Sequence, residues 1–321
     1  MIPTLQSLRF IFVMMIFMSH FAYGGIEAFE AGGDCGVAFF FLLSGFVLSK
    51  GYGRRLREGT FSYSRYLRRR LLKIYPLHLL CLVVVLLISR QSLGLPVLLN
   101  VLLLQSWVPS TDFYFSCNAV SWFLSCLLFC YLLFPWAYRH ASRQLTAVVL
   151  ACCLAAYLLV PYDRVNSLLY VNPLVRFVDF YLGIVLCRYL DKKPLQRQPA
   201  WTELLLVAVL ILALLAYPYT DAKLRNAPLF WVVLLPFIAV FASGEGLLSR
   251  SLLNAKPLLW LGSLSMPFFM LHPMTFSVLM RHLPAMPPVL MLALCFAVVV
   301  LLSWVVDRLF LQPVQRLTNK Q

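Results

Sequence analysis

Acidic residues are scarce. The 321-residue chain has 12 Asp and Glu against 27 Lys and Arg, and charged residues of both signs make up only 12% of it. Soluble domains carry roughly twice that share of charge, so an ordinary soluble fold is excluded. No polar stretch is long enough for a second domain, and no linker, low-complexity tract or clear internal repeat is visible. No Cys/His spacing suits a metal. The nine cysteines form no disulfide framework; most lie in apolar segments, where cysteine behaves as a small hydrophobe. Cys35 and Cys117 sit near expected outer ends and are within topological reach of each other, but no sequence feature forces them to pair. Arg9 interrupts the first apolar run and no small-residue cleavage pattern follows His20, which argues against a signal peptide.

What is present is hydrophobic: 62% of the residues, arranged in runs long enough to cross a bilayer. The fold class is an all-α integral membrane bundle, a single transmembrane domain over 1–321. A net charge of +15 would point to nucleic acid in a soluble protein. Here the basic residues cluster between apolar runs and the positive-inside rule accounts for them, so the expected partner is the lipid bilayer and not nucleic acid.

The first run, about 5–23, leads into a Gly-containing turn at 24–34 with Glu27, Glu30 and Asp34 and no basic residue, which reads as external. The second run is about 35–52. Residues 50–73 then carry nine Lys or Arg and one acid, Glu58, the strongest cytoplasmic marker in the chain. Tyr63, Tyr66, Leu67 and Leu71 interleave with these arginines, as in an interfacial amphipathic helix. The third run is 74–88. Residues 95–106 are short for a span and headed by Pro96, which predicts a re-entrant or interfacial segment. Further runs are 120–138, 145–160, 174–187, 201–217, 227–242, 258–280 and 289–306. With the basic loops inside, parity gives ten spans, both termini cytoplasmic, and an external loop at 107–118.

Ionisable groups at membrane depth are costly and mark function. Arg9 and His20 are 11 residues apart, roughly three helical turns, so they share a face but stand roughly 16 Å apart. That spacing fits a polar tunnel better than a compact dyad. His20 reads either as a general base or as an imidazole hydrogen-bonded between helices. Asp34 either orients that ring or caps the second helix. Arg9 either grips an anionic or carbonyl-bearing ligand or snorkels to headgroups. The arginine run either cradles cofactor phosphates or anchors to lipid phosphate. Ser44-Gly45-Phe46 reads first as a small-residue packing site. His272 should line the polar interior. Asp179, three residues after Arg176, reads as an ion-paired helix end.

Several further pieces join these. Leu8-Arg9 precedes His20; Gly36-Val37 leads to Phe39-Phe40-Phe41-Leu42-Leu43-Ser44-Gly45-Phe46; then come Arg70-Leu71-Leu72-Lys73-Ile74-Tyr75-Pro76 and Trp122-Phe123-Leu124-Ser125. Phe180-Tyr181-Leu182-Gly183 and Leu261-Gly262-Ser263-Leu264-Ser265 follow, before Leu271-His272. In this order the chain resembles acyltransferase family 3, the membrane O-acyltransferases. The resemblance implies a ten-span bundle in a bacterial inner membrane. Such a bundle takes an acyl group from cytoplasmic acyl-CoA, usually acetyl-CoA, with no metal. The acceptor is a hydroxyl of a cell-envelope glycan or lipid-linked sugar. It implies that Arg9 and His20 are the functional pair, to which the position of Asp34 at the facing end of the second run adds a third expected catalytic residue. Arg69, Arg70, Lys73 and Ser44 would hold the donor, and Trp122, Tyr114 and His272 the acceptor. Three positions depart from the pattern. Lys73 stands where a second arginine is usual, Leu127 where many members carry glutamate, and Gln312-Pro313 where a Glu-x-Pro-like ending is common. A transporter or flippase of an anionic or sugar-linked substrate is the competing class; against it stand the absent inverted repeat and the concentrated basic platform.

Overall fold

The computed structural model describes residues 2–21, 29–89 and 93–319, and every regular element among them is helical. The helices that build it are α1 (Pro3–Phe21), α2 (Ala31–Arg57), α3 (Tyr63–Ser89), α4 (Leu95–Val101), α5 (Trp122–His140) and α6 (Arg143–Leu159). They continue with α7 (Pro173–Lys192), α8 (Thr202–Ala216), α9 (Pro228–Phe241), α10 (Lys256–Ser263), α11 (Ser265–His282) and α12 (Pro288–Val306). Residues 24–28 of the expected external turn, with Glu27, lie outside the described residues, and its last four residues already belong to α2.

Among the described residues, seven helical segments are long and apolar enough to cross a membrane, and an eighth is added if α10 and α11, bent by 64° at their junction, count as one. The chain is a multi-pass membrane protein. All ten long apolar runs of the sequence are helical, but two are not plain spans. Helix α6 has only 17 residues, and α7 carries Arg176, Asp179, Arg188, Asp191 and Lys192. The run 258–280 is also not one rod. It breaks at Leu264, where Gly262 packs so closely on α1 that a Cβ there would lie 2.0 Å from the Gln6 carbonyl oxygen.

The arginine-rich stretch differs from expectation as well. It is not a separate interfacial helix: α3 runs from Tyr63 through Pro76 to Ser89 without a break. Proline removes one backbone bond, a loss that membrane helices tolerate where neighbours support the turn. The first half of α3 is pinned to α5, because the buried Tyr66 hydroxyl donates to the Tyr131 carbonyl at 3.0 Å.

Helices α1, α2, α5 and α7 are largely buried, whereas α3, α8 and α12 turn most of their apolar side chains outward. The tightest crossing joins α2 and α7. A Cβ on Gly45 would lie 1.9 Å from the Phe180 carbonyl oxygen, and one on Gly183 2.0 Å from that of Leu42. Only glycine permits such an approach of two backbones.

Polar groups inside this apolar body are satisfied in clusters, as burial requires. Arg176 and Asp179, both fully buried, pair at 2.8 Å. Arg176 also donates to the carbonyls of Tyr170 and Asn226, and Asp179 accepts from the Trp231 indole at 2.5 Å. The ion-paired reading of Asp179 holds, although the pair sits in the interior. Around 95–125, α4 is only seven residues long. Its Asn100 side chain bonds Ser116 and Ser121, Gln105 bonds Ser121, and His78 of α3 meets the Asn100 carbonyl at 2.7 Å. The first turns of α1 reach far along the chain: Thr4, Gln6 and Ser7 donate to the carbonyls of Phe241, Leu259 and Leu253.

Candidate active site

A cavity of about 560 Å³ lies among α1, α2, α3, α5 and the start of α11. Arg9, Lys50, Arg70 and Lys73 line it, and no Asp or Glu does. Arg9 comes from α1, and Arg70 and Lys73 from the half of α3 that the Tyr66 bond holds against the body. The Arg70 guanidinium lies 5.6 Å from the Tyr52 ring centre and donates to its hydroxyl at 3.3 Å. The Nε atoms of both Arg9 and Arg70 are buried without a hydrogen-bond partner among the described residues. Buried donors left unpaired are expensive, and a cationic cluster without a counter-ion is more so. An anionic group entering the cavity would satisfy both. The remaining wall is apolar and aromatic, with Phe40, Leu43, Phe123, Leu127 and Phe269. Leu127 makes that wall apolar where a glutamate would have made it acidic.

The structure therefore gathers Arg9, Ser44, Arg70 and Lys73 around one space. Ser44 donates to the Phe40 carbonyl at 2.7 Å, as a serine within a helix commonly does. Arg69 points elsewhere and is exposed. Lys50, Tyr52 and Tyr131 also line the space; the sequence marked Lys50 only as part of the basic run.

His20 does not line the cavity. Its Nδ1 lies 2.8 Å from the Ile16 carbonyl, which can only accept, so Nδ1 carries the proton and the neutral ring keeps its lone pair on Nε2. His272 of α11 stands beside it, Nε2 3.4 Å from His20 Nδ1, with ring centres 4.8 Å apart and edge to face. His272 is 1% exposed, among Phe17, Phe268 and Phe269. Phe269 is thus shared: one side borders the cavity and the other borders His272. The two histidines are 252 positions apart, and no spacing in the sequence signalled their meeting.

Asp34 accepts from the Tyr217 hydroxyl at 2.8 Å. Among the described residues, the groups within hydrogen-bond reach of the His20 ring are the Ile16 carbonyl and His272. Trp122 and Tyr114 are both buried, at 5% and 3% exposure. Trp122 packs 4.9 Å from the Tyr170 ring and its carbonyl accepts from Ser106. Asn118, just before it, donates to the Met270 carbonyl, two residues from His272. The tryptophan segment and the histidine pair therefore meet at the same level of α11, near its middle.

The family model described as "Acyltransferase domain" matches residues 2–308. Acyltransferase MdmB of Streptomyces mycarofaciens is 29% identical over 315 residues, covering 84% of this chain and 78% of that protein. Protein 2 in the picA locus of Rhizobium radiobacter is 44% identical over 62 residues, covering 19% of this chain and 32% of that protein. No solved structure matches the chain. With the family match running almost end to end, the chain belongs to the Acyltransferase domain family and is an acyltransferase moving groups other than amino-acyl groups.

Proposed function

We propose that the protein is an O-acyltransferase of a bacterial inner membrane, a single transmembrane domain that crosses ten times with both termini cytoplasmic. In this reading α6 and α7 complete the crossings, α7 burying its Arg176–Asp179 pair in the bundle and carrying Arg188, Asp191 and Lys192 at its end, and 95–106 is re-entrant. The donor is acyl-CoA, with acetyl-CoA the expected form, and the acceptor a hydroxyl of a cell-envelope polysaccharide or lipid-linked sugar. The observation that carries the reading is the acid-free cavity whose Arg9 and Arg70 nitrogens lack partners. Arg70, Lys73 and Ser44 would hold the donor there; Arg69, expected beside them, is off the cavity. Arg9 would steady the thioester arm at the deep end. Charge-assisted contacts of this kind bind phosphate and carbonyl oxygen strongly.

His20 Nε2 takes the proton of the acceptor hydroxyl as its oxygen attacks the thioester carbonyl. The carbon–sulfur bond then breaks, and the thiolate leaves with the proton returned by the imidazolium. His272 supports the His20 ring, while Asp34, bonded to Tyr217 and to neither histidine, takes no direct part in the step. The thioester reaches His20 by displacing Phe269, the ring between cavity and histidine pair. Trp122 and Tyr114, both buried here, would receive the sugar once the segment that carries Tyr114 moves off Trp122.

The test is thioester consumption and acyl transfer by the purified protein and its His20→Ala variant. Losing a general base costs roughly 10²- to 10⁴-fold in rate. Near-normal transfer by a stably inserted variant would make His20 structural and sink the mechanism.

A further inference from the structure

A second cavity, of about 500 Å³, opens between the last turns of α2, α5 and α7. Arg57, Arg139, Arg188 and Lys192 line it against a single carboxylate, Asp191. Tyr138 organises it. That residue is buried at 3% exposure; its hydroxyl accepts from Arg57, and its carbonyl accepts from Arg188. The Arg188 guanidinium also lies 5.3 Å from the Tyr138 ring centre. Helix α2 makes room for this hub with Gly53, where a Cβ would come 2.4 Å from the tyrosine hydroxyl oxygen. Two guanidinium groups are thus held in place in advance, which lowers the ordering cost of any ligand that uses them.

The charges do not balance. Asp191 is divided between Lys50, at 3.0 Å, and Arg57, at 3.5 Å. Among the described residues, no carboxylate lies within ion-pair distance of Arg139, Arg188 or Lys192. Three helix C-termini meet here, each worth roughly half a negative charge. Together with Asp191 these offset roughly 2.5 of the four cationic charges, which leaves an excess of about 1.5 positive charges. The cavity is also wired to the first one, because Lys50 lines that cavity while its partner Asp191 lines this one. Ser44 in the first cavity and Arg57 in the second are 13 residues apart on α2, roughly 20 Å. That span is comparable to the reach of an extended pantetheine arm.

We infer that the second cavity is a phosphate-binding site, and that its ligand is the phosphorylated nucleotide end of the acyl donor while the thioester lies in the first cavity. The shared chemistry is a phosphate mono- or diester, which an anionic lipid headgroup also offers. The site itself is independent of the acyl-CoA reading; only the source of the phosphate rests on it.

The experiment uses the full chain in nanodiscs of neutral lipid, with adenosine 3′,5′-bisphosphate as probe. The variant is the double substitution Arg139→Gln and Lys192→Gln, which removes two exposed charges and leaves the Tyr138 hub intact. Bisphosphate affinity should fall at least about tenfold in the variant, the loss expected for one or two charge-assisted contacts. Binding of acetyl-pantetheine, which has no nucleotide, should be unchanged. A second variant, Tyr138→Phe, keeps the ring but frees Arg57 and should give a smaller loss. If bisphosphate affinity is equal in both proteins, but added phosphatidylglycerol raises thermal stability only in the parent, the site binds phosphate and its source is the bilayer. If neither probe separates variant from parent, the cluster serves only the helix ends and the inference fails. That last result would leave thioester consumption through the first cavity untouched, so the two readings fail separately.

Discussion

The α2–α7 crossing makes the sharpest prediction, because the structure supplies both the perturbation and its control. Gly45→Ala adds one methyl group 1.9 Å from the Phe180 carbonyl oxygen, while ordinary van der Waals contact begins near 3.4 Å. The obstacle is backbone rather than a flexible side chain, so the helices must part locally by about 1.5 Å. Overpacking of this kind costs about 1–3 kcal/mol, and the rigid neighbour argues for the upper end. Gly183→Ala meets the Leu42 carbonyl at 2.0 Å and should cost a similar amount. The double variant should cost less than the two singles summed, since one separation accommodates both methyl groups. Gly51→Ala, six residues on in α2, meets nothing within 4 Å. It should be neutral or stabilising by about 0.5–1 kcal/mol, the usual gain of alanine over glycine inside a helix. The assay is reversible unfolding of the purified protein in mixed micelles with added SDS. Stability of Gly45→Ala or Gly183→Ala equal to that of Gly51→Ala would refute the close approach of the two backbones.

Arg176→Met leaves Asp179 buried without its cation, so stability should drop by about 3–5 kcal/mol, read as loss of folded protein after solubilisation. Neutralising Arg70 and Lys73 together should raise the KM for acyl-CoA by tenfold or more with little change for the acceptor, whereas Arg69→Gln alone, off the cavity, should do far less; equal effects would discard the cavity as the donor site. Thr111→Cys, in a background without native cysteines, should react with an impermeant maleimide on intact cells. Labelling only after lysis would reverse the orientation of the tryptophan segment.

Much of the site was legible because membrane burial is unforgiving. An arginine in the first apolar run had to face something other than lipid, and Arg9 does line a cavity with Arg70 and Lys73. Ser44-Gly45-Phe46 read as a packing site, and Gly45 is one. Other features carried no local signal. The His20–His272 contact joins residues 252 positions apart. The continuity of α3 was hidden because a basic run followed by Pro76 looks like a boundary, and only the Tyr66 bond to α5 explains why the helix persists. The charges of α7 looked like a helix end because their partners, Asn226 and Trp231, come from a later part of the chain.

The polar side chains of Thr4, Gln6 and Ser7 accept no help from their own neighbourhood; the carbonyls they serve lie 237 to 253 positions later. During synthesis the first helix enters the membrane long before those carbonyls exist. Its hydroxyl and amide groups must wait, bonded to water, to lipid headgroups or to their own helix, until α9 and the residues up to Leu259 arrive. Contacts of such long sequence separation form late. The first helix and the stretch from Phe241 to Leu259 therefore close on each other late in assembly. An extension or deletion at the amino terminus would consequently be felt first in the carboxyl-terminal third, as helices that insert but fail to dock.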